Sequence, residues 1–273
     1  MKTVVITGSF DDIRSSHIRF LEEASKRGGL HVLLWSDEMV YKVSGSPPKF
    51  PQEERLYILS AIRYVQQVHL VYGFISLEVL TAVLGLLPDI WIVNQRDDTP
   101  EIRLFCAAHG ITYQVIEPTE LKGFPDLPIS GDVPRITKKK VLVTGSFDWL
   151  HSGHVRFFEE TSTLGDLYVV VGHDENIRLL KGNNHPMFSA EERCYMVQSI
   201  RFVKQAVLST GHGWMDAEPE IELIKPDMYA VNEDGDVPEK RAFCANHSIE
   251  YVVLRRIPKE GLPQRESTVL RGF

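Results

Sequence analysis

The chain has 273 residues, 43% of them hydrophobic and 25% charged, with a formal net charge of −7. That length holds two ordinary α/β domains with buried cores. The acidic balance argues against a general nucleic-acid binder: no Lys/Arg stripe stands out beyond Lys138–Lys140, which reads as a solvated strand entry.

The first residues, MKTVVITGSF, contain an apolar run that suits a buried parallel strand and is too short for a signal or membrane segment. No stable membrane insertion is therefore expected. Cys106, Cys194 and Cys244 form no CxxC pair and no zinc-ligand spacing. They are expected to be buried thiols in a reducing compartment, which makes the cytoplasm the default location.

Comparing the chain with itself reveals a duplication. KTVVITGSFDDIRSSHIRFLEE (2–23) matches KKVLVTGSFDWLHSGHVRFFEE (139–160), 137 positions on. Further along, IVNQRDDTPEIRLFCAAHGITYQVI (92–116) matches AVNEDGDVPEKRAFCANHSIEYVVL (230–254), 138 positions on. A period of that length is a whole small domain, too long for a solenoid repeat. The join, VIEPTELKGFPDLPISGDVPRITKKK, is rich in Pro and Gly and reads as the end of one domain plus a linker. The boundary is expected near residue 135, giving domains 1–135 and 136–273.

Each unit alternates β-branched runs with helical patterns. In the second, VLVTG reads as a strand, SGHVRFFEETSTLG as a helix and LYVVVG as a strand. SAEERCYMVQSIRFV reads as a helix opened by Ser189, with Glu192 completing a capping box. QAVL, MYAVN and IEYVVL follow as strands, separated by the helices PEIELIKP and PEKRAFCANHS. Strands alternating with helices predict a doubly wound parallel α/β sheet in each of two tandem Rossmann-like domains. Such sheets bind ligands at the carboxyl ends of their strands.

GSFDWLHSGH (145–154) falls at that place, between the first strand and the first helix. A helix N-terminus offers N–H groups and partial positive charge to a phosphate. Gly153 removes a side chain where an anion would approach the backbone. His151 and His154 can aim imidazole donors at phosphate oxygens and stabilise charge developing in nucleotidyl transfer. No protein nucleophile is needed when the attacking group is itself an ionised phosphate.

These residues resemble the HxGH nucleotidyltransferase superfamily of cytidylyltransferases, nearest to the glycerol-3-phosphate, choline-phosphate and ethanolamine-phosphate enzymes. The resemblance covers nearly all of both halves, and the tandem arrangement is most similar to the ethanolamine-phosphate enzyme. It implies transfer of CMP from CTP to a small phosphomonoester, with pyrophosphate leaving. His151, His154 and Lys181 would be catalytic. Gly145, Ser146, Phe147, Gly153, Asn232, Asp234, Arg265, Ser267 and Thr268 would hold the nucleotide. Asp148, Trp149, His173 and Trp214 would face the acceptor. Mg2+ would arrive on the nucleotide phosphates, not at a site built by the protein. In two places the chain departs from the family: Lys204 and Gln205 stand where an acidic pair is common, and extra residues precede the closing signature QREST.

Plainer readings stand beside these. Asn232 and Asp234 are also ordinary turn residues, and Arg265, Ser267 and Thr268 also suit a helix cap. Arg193 and Arg201 recur as Arg55 and Arg63, which favours structural ion pairing over catalysis.

The first copy is damaged. Arg14 replaces His151, Ser16 replaces Gly153 and Leu127 replaces Arg265, while His17 matches His154. Losses in two separate segments predict an inactive domain, acting as an internal pseudo-partner in a pseudo-dimer; a further homodimer stays open. An adenylyltransferase using ATP is the main enzymatic alternative, because it shares the HxGH loop. A non-catalytic nucleotide-binding scaffold is the alternative from a different class. A dinucleotide-binding dehydrogenase is excluded, because no G-x-G-x-x-G follows either first strand.

Overall fold

The computed structural model describes residues 1–73, 76–85, 87–125 and 138–270. By contacts the chain divides into two units, Met1–Gly123 and Phe124–Phe273. The expected boundary near residue 135 lies outside the described residues, as does Leu127.

The first unit runs β1 (Thr3–Gly8), α1 (Ser15–Ser25), β2 (Gly29–Trp35), α2 (Asp37–Ser44), α3 (Gln52–Ser60), β3 (Gln67–Val71), α4 (Leu77–Leu84), β4 (Ile90–Asn94), α5 (Pro100–Ala108) and β5 (Thr112–Ile116). Its sheet has the order β3-β2-β1-β4-β5, with every pairing parallel.

The second unit repeats the plan: β6 (Lys140–Gly145), α6 (Ser152–Ser162), β7 (Asp166–Val171), α7 (Asp174–Lys181), α8 (Ala190–Gln198), β8 (Val203–Leu208), α9 (Glu218–Ile224), β9 (Met228–Asn232), α10 (Pro238–Asn246) and β10 (Glu250–Leu254). The short α11 (Ser267–Leu270) closes it. The order β10-β9-β6-β7-β8 is again fully parallel. Both units are therefore Rossmann-like α/β sheets with the strand order reversing beside the first strand, where such sheets bind ligands.

The central strand shows why the chain folds this way. Val141, Leu142 and Val143 are fully buried, as a strand covered on both faces requires. On one face Leu142, Val170, Tyr229 and Val231 pack with Ile221 of α9 and Cys244 of α10.

Two elements differ from the expected ones. α8 ends at Gln198 instead of running to Val203, and the Gln198 side chain accepts from the Ala206 backbone N–H, tying the helix end to β8. Buried Ile200 and Val203, which extend the helical apolar pattern in sequence, belong to the turn and the strand. α7 is an additional helix, capped by His173, with Ile177 buried and Leu179 and Leu180 exposed.

Candidate active site at the carboxyl edge of the second sheet

The turn leaving β6 is built by a folded-back aromatic ring. Phe147 adopts a left-handed backbone (φ 46°), and a Cβ on Gly145 would lie 2.8 Å from its ring. Glycine is therefore required there by the turn itself. Phe10 repeats the conformation in the first unit with φ 44°.

Asp148 holds this turn to the loop before α8. Its carboxylate accepts from the backbone N–H groups of Met187 (2.8 Å) and Phe188 (3.1 Å). Asp11 does the same for Lys49 and Phe50 in the first unit. Both copies use this aspartate identically. Trp149 is buried and packs edge-on against Phe188. His173 caps α7 through Nδ1, and its Nε2 lies 2.8 Å from the Gly211 carbonyl, so both ring nitrogens are engaged within the protein. Trp214 is different, being 54% exposed on the turn before α9.

The two histidines stand together. Their ring centroids are 4.0 Å apart, and Phe147 packs edge-on against His154. His151 is the N-cap of α6, and its Nδ1 accepts from the Gly153 N–H at 3.1 Å. That bond places its proton on Nε2, which is buried and without a partner. His154 donates to the Trp149 carbonyl and leaves Nδ1 without a partner. Burial pushes both pKa values down, that of His154 to about 3, and the cations Arg256, Arg265 and Lys181 add to the effect. His151 Nε2–H is an unsatisfied donor in a positive field, which suits an arriving polyphosphate, whereas the bare His154 Nδ1 can only accept while its ring is neutral.

Gly153 serves a different purpose from the one expected. A Cβ there would lie 2.9 Å from Cε1 of His151. The glycine makes room for the imidazole.

Lys181 ends α7 and donates to the Ser146 hydroxyl at 3.0 Å. Its stem is exposed, while desolvation and then the Arg193 charge lower its pKa. The corresponding last residue of α2 is Ser44, followed like Lys181 by a glycine. The first unit has therefore lost the lysine as well.

A cleft of about 370 Å³, open to solvent, borders the first turns of α6, with Ser152, Gly153 and Asn232 on its walls. Its lining includes five cations, Arg156, Arg255, Arg256, Lys259 and Arg265, against the carboxylate of Glu160. Asp234 accepts from Arg256 at 2.6 Å, and the same guanidinium donates to the Arg265 carbonyl at 2.9 Å. Ser267 reaches the Trp149 carbonyl at 3.4 Å, and Thr268 is described by its backbone alone within α11.

Arg256, Arg255 and Lys259 were not indicated by the sequence motifs. Their counterparts in the first unit are Pro118, Glu117 and Leu121. That alternation of cation and non-cation between the two copies was the available signal.

Arg193 is 1% exposed and donates to the carbonyls of Phe188, Ser146 and Gly172 and to Asp174. Arg55 makes the equivalent bonds to Phe50, Ser9, Trp35 and Asp37. It is a clamp shared by both copies.

A parallel Rossmann-like sheet with an HxGH helix cap and a cationic cleft defines a nucleotide-handling α/β enzyme. Residues 5–101 and 142–257 match the cytidylyltransferase-like family, and the chain belongs to it. It is an enzyme of the nucleotidyl-transferring class. Among curated proteins it is similar to the FAD synthase of Thermococcus kodakarensis, 40% identical over 121 residues, which span 43% of this chain and 79% of that one. The FAD synthase of Ferroglobus placidus is 39% identical over 125 residues, 45% of this chain and 78% of that one. A solved lipopolysaccharide core biosynthesis protein from Thermoplasma volcanium GSS1 matches 47% of this chain and 99% of its own at TM-score 0.38 and 25% identity.

Proposed function

We propose that the second unit transfers AMP from ATP to the phosphate of FMN, releasing pyrophosphate and forming FAD. The observation that carries this reading is the pairing of the HxGH cap and cationic cleft with relatives named FAD synthase. FAD is an adenylate joined through a diphosphate to FMN, so its synthesis by nucleotidyl transfer consumes ATP. The CTP preference expected from the family resemblance yields to ATP on that ground, and the small headgroup phosphomonoester yields to a flavin phosphate.

The FMN phosphate, already ionised, attacks the α-phosphorus of ATP; the bond to the β-phosphate oxygen breaks and pyrophosphate leaves. His151 Nε2–H donates to a phosphate oxygen. His154 Nδ1, bare in the neutral tautomer, gains a proton once polyphosphate reverses the surrounding positive field, and then donates as well. Lys181 neutralises charge beside Ser146. Arg256, Arg265 and the first turn of α6 hold the triphosphate, with Asn232 and Ser267 at its margins. Trp214, exposed at the same strand edge as Lys181, offers a ring surface to the acceptor.

Among the described residues no three His, Cys, Asp or Glu side chains group as a metal site. Mg2+ is proposed to come with the nucleotide as part of the substrate. Among the described residues, no helix is long and apolar enough to cross a membrane; a cytoplasmic location is proposed.

The first unit is proposed to be catalytically inert, with Arg14, Ser16 and Ser44 at the positions of His151, Gly153 and Lys181. Arg14 turns back to Asp12 at 2.7 Å.

The test is product analysis after incubating the protein with ATP, Mg2+ and FMN, and in parallel with CTP and ethanolamine phosphate or glycerol 3-phosphate. FAD with pyrophosphate is expected. A CDP-linked product would restore the cytidylyl reading, and no product in any mixture would favour a nucleotide-binding scaffold.

A further inference from the structure

Below the reacting turn, one face of each sheet carries a layer that the two copies build from opposite chemistry. In the first unit it is apolar. Trp35 ends β2 and donates its indole N–H to Thr7 Oγ1 at 2.8 Å. Trp91, Met39 and Val71 are buried there, with Ile102 of α5 packed against them.

In the second unit each of these positions has changed. Gly172 stands for Trp35, Tyr229 for Trp91, Asn176 for Met39, Ser209 for Val71 and Lys240 for Ile102. Polar contacts replace packing. Tyr229 OH and Thr144 Oγ1 are 2.7 Å apart, and Ser209 donates to Asp216 Oδ2 at 2.6 Å. Asn176 exchanges two hydrogen bonds with Gly213, fixing the turn that carries Trp214 and Asp216. Lys240 donates to the Gly235 carbonyl at 3.2 Å, under the loop that follows Asn232. A Cβ on Gly172 would lie in van der Waals contact with Asp216 Oδ2, at 3.4 Å.

Bringing a lysine, a carboxylate and an amide into a partly buried layer costs stability. The first unit shows that the same fold closes with apolar residues at these positions. The second unit alone keeps polar side chains in this layer, beside the turn that leaves β6.

We propose that Lys240 and Asp216 form the specificity subsite for the acceptor's ring, reading an edge in which C=O and N–H are adjacent, as in the imide of a flavin. Lys240 offers a donor and the Asp216 carboxylate an acceptor, so together they match a carbonyl beside an N–H. Thr144, in the same layer, directly precedes the Gly145–Ser146 turn that holds Lys181. Burial lowers the Lys240 pKa, and Asp234, Asp236 and Asp216 oppose that shift. This subsite rests on the FMN reading of the acceptor.

The experiment is direct binding, followed by flavin fluorescence, of FMN and of N3-methyl-FMN to the full chain and to two variants. Lys240→Ile installs the residue that the first unit carries, and Asp216→Asn keeps an acceptor for Ser209. Wild type should bind FMN at least about tenfold tighter than N3-methyl-FMN, because a site built for an N–H rejects the analogue lacking it. Lys240→Ile should weaken FMN binding by about tenfold or more, and Asp216→Asn should erase the discrimination between the two flavins. Equal binding by wild type and Lys240→Ile, or no preference for FMN over its N3-methyl analogue, would overturn the proposal. No FMN binding by wild type would overturn it too. The product assay with other phosphomonoesters would then separate this failure from failure of nucleotidyl transfer itself.

Discussion

A Cβ on Gly153 would press against His151, at 2.9 Å from Cε1 and 3.0 Å from Nδ1. The glycine of the HxGH element is thus a condition for the histidine's position. Gly153→Ala should displace the imidazole and remove its bond from the Gly153 N–H. We expect kcat to fall by about two orders of magnitude, the scale of losing one aligned donor, with little change in thermal unfolding. Steady-state kinetics beside a melting curve check this; an active Gly153→Ala enzyme would break the link.

The two copies predict an asymmetric response to the same mutation. His154→Ala should cost about 100-fold or more in kcat/KM, as for other oxyanion donors. His17→Ala, in the corresponding place beside Arg14 and Asp12, should leave turnover intact. Assaying both variants checks the assignment of chemistry to the second unit.

Depressed histidine pKa values set a pH dependence of stability. His17, His31, His69, His151 and His154 all lie below the unfolded value of 6.5, burial being the largest cause in each. Below pH 6.5 the unfolded chain binds protons that the folded chain refuses, so stability falls as pH drops from 6.5 toward about 3. Above 6.5 these groups contribute no slope. His31 Nδ1 and His69 Nε2 are 3.0 Å apart with ring planes within 8°, a geometry that admits one proton between them but not one on each nitrogen. Their counterparts are Tyr168 and Val207. Melting curves between pH 7 and 4 should show a shallower loss for His31→Tyr with His69→Val; an unchanged slope would remove this pair from the acid response.

The buried arginine clamps should matter equally in both units. Arg193→Ala and Arg55→Ala each strand three backbone carbonyls and a carboxylate. We expect each to destabilise its unit by about 3 kcal/mol or more. Denaturant unfolding of the two variants checks this, and an unchanged midpoint for either variant would contradict a clamp shared by both units.

Much of the fold was legible in the sequence because continuous apolar runs and helical patterns alternate twice, and a duplicated pattern checks itself. α7 was not legible: of its apolar side chains only Ile177 is buried, and the helix is held by its His173 cap and by Asn176 on a later turn. In the site, the place of His151 and His154 at the strand–turn–helix could be read from the motif. That Asp148 and His173 bond to backbone groups and that Trp149 packs on Phe188 could not, since a sequence does not show which neighbours engage a side chain. Arg256 escaped for the opposite reason. It lies on an aperiodic segment, and only the fold brings it to Asp234 and to the field of the two histidines.

The most direct measurement is titration calorimetry of the full chain with ATP and with CTP, each with Mg2+. One ATP per chain, with CTP bound far more weakly, is the predicted result, because the second unit alone keeps the histidine pair, Lys181 and the cationic cleft. Two ATP molecules per chain would contradict an inert first unit, and binding of CTP in place of ATP would contradict adenylyl transfer.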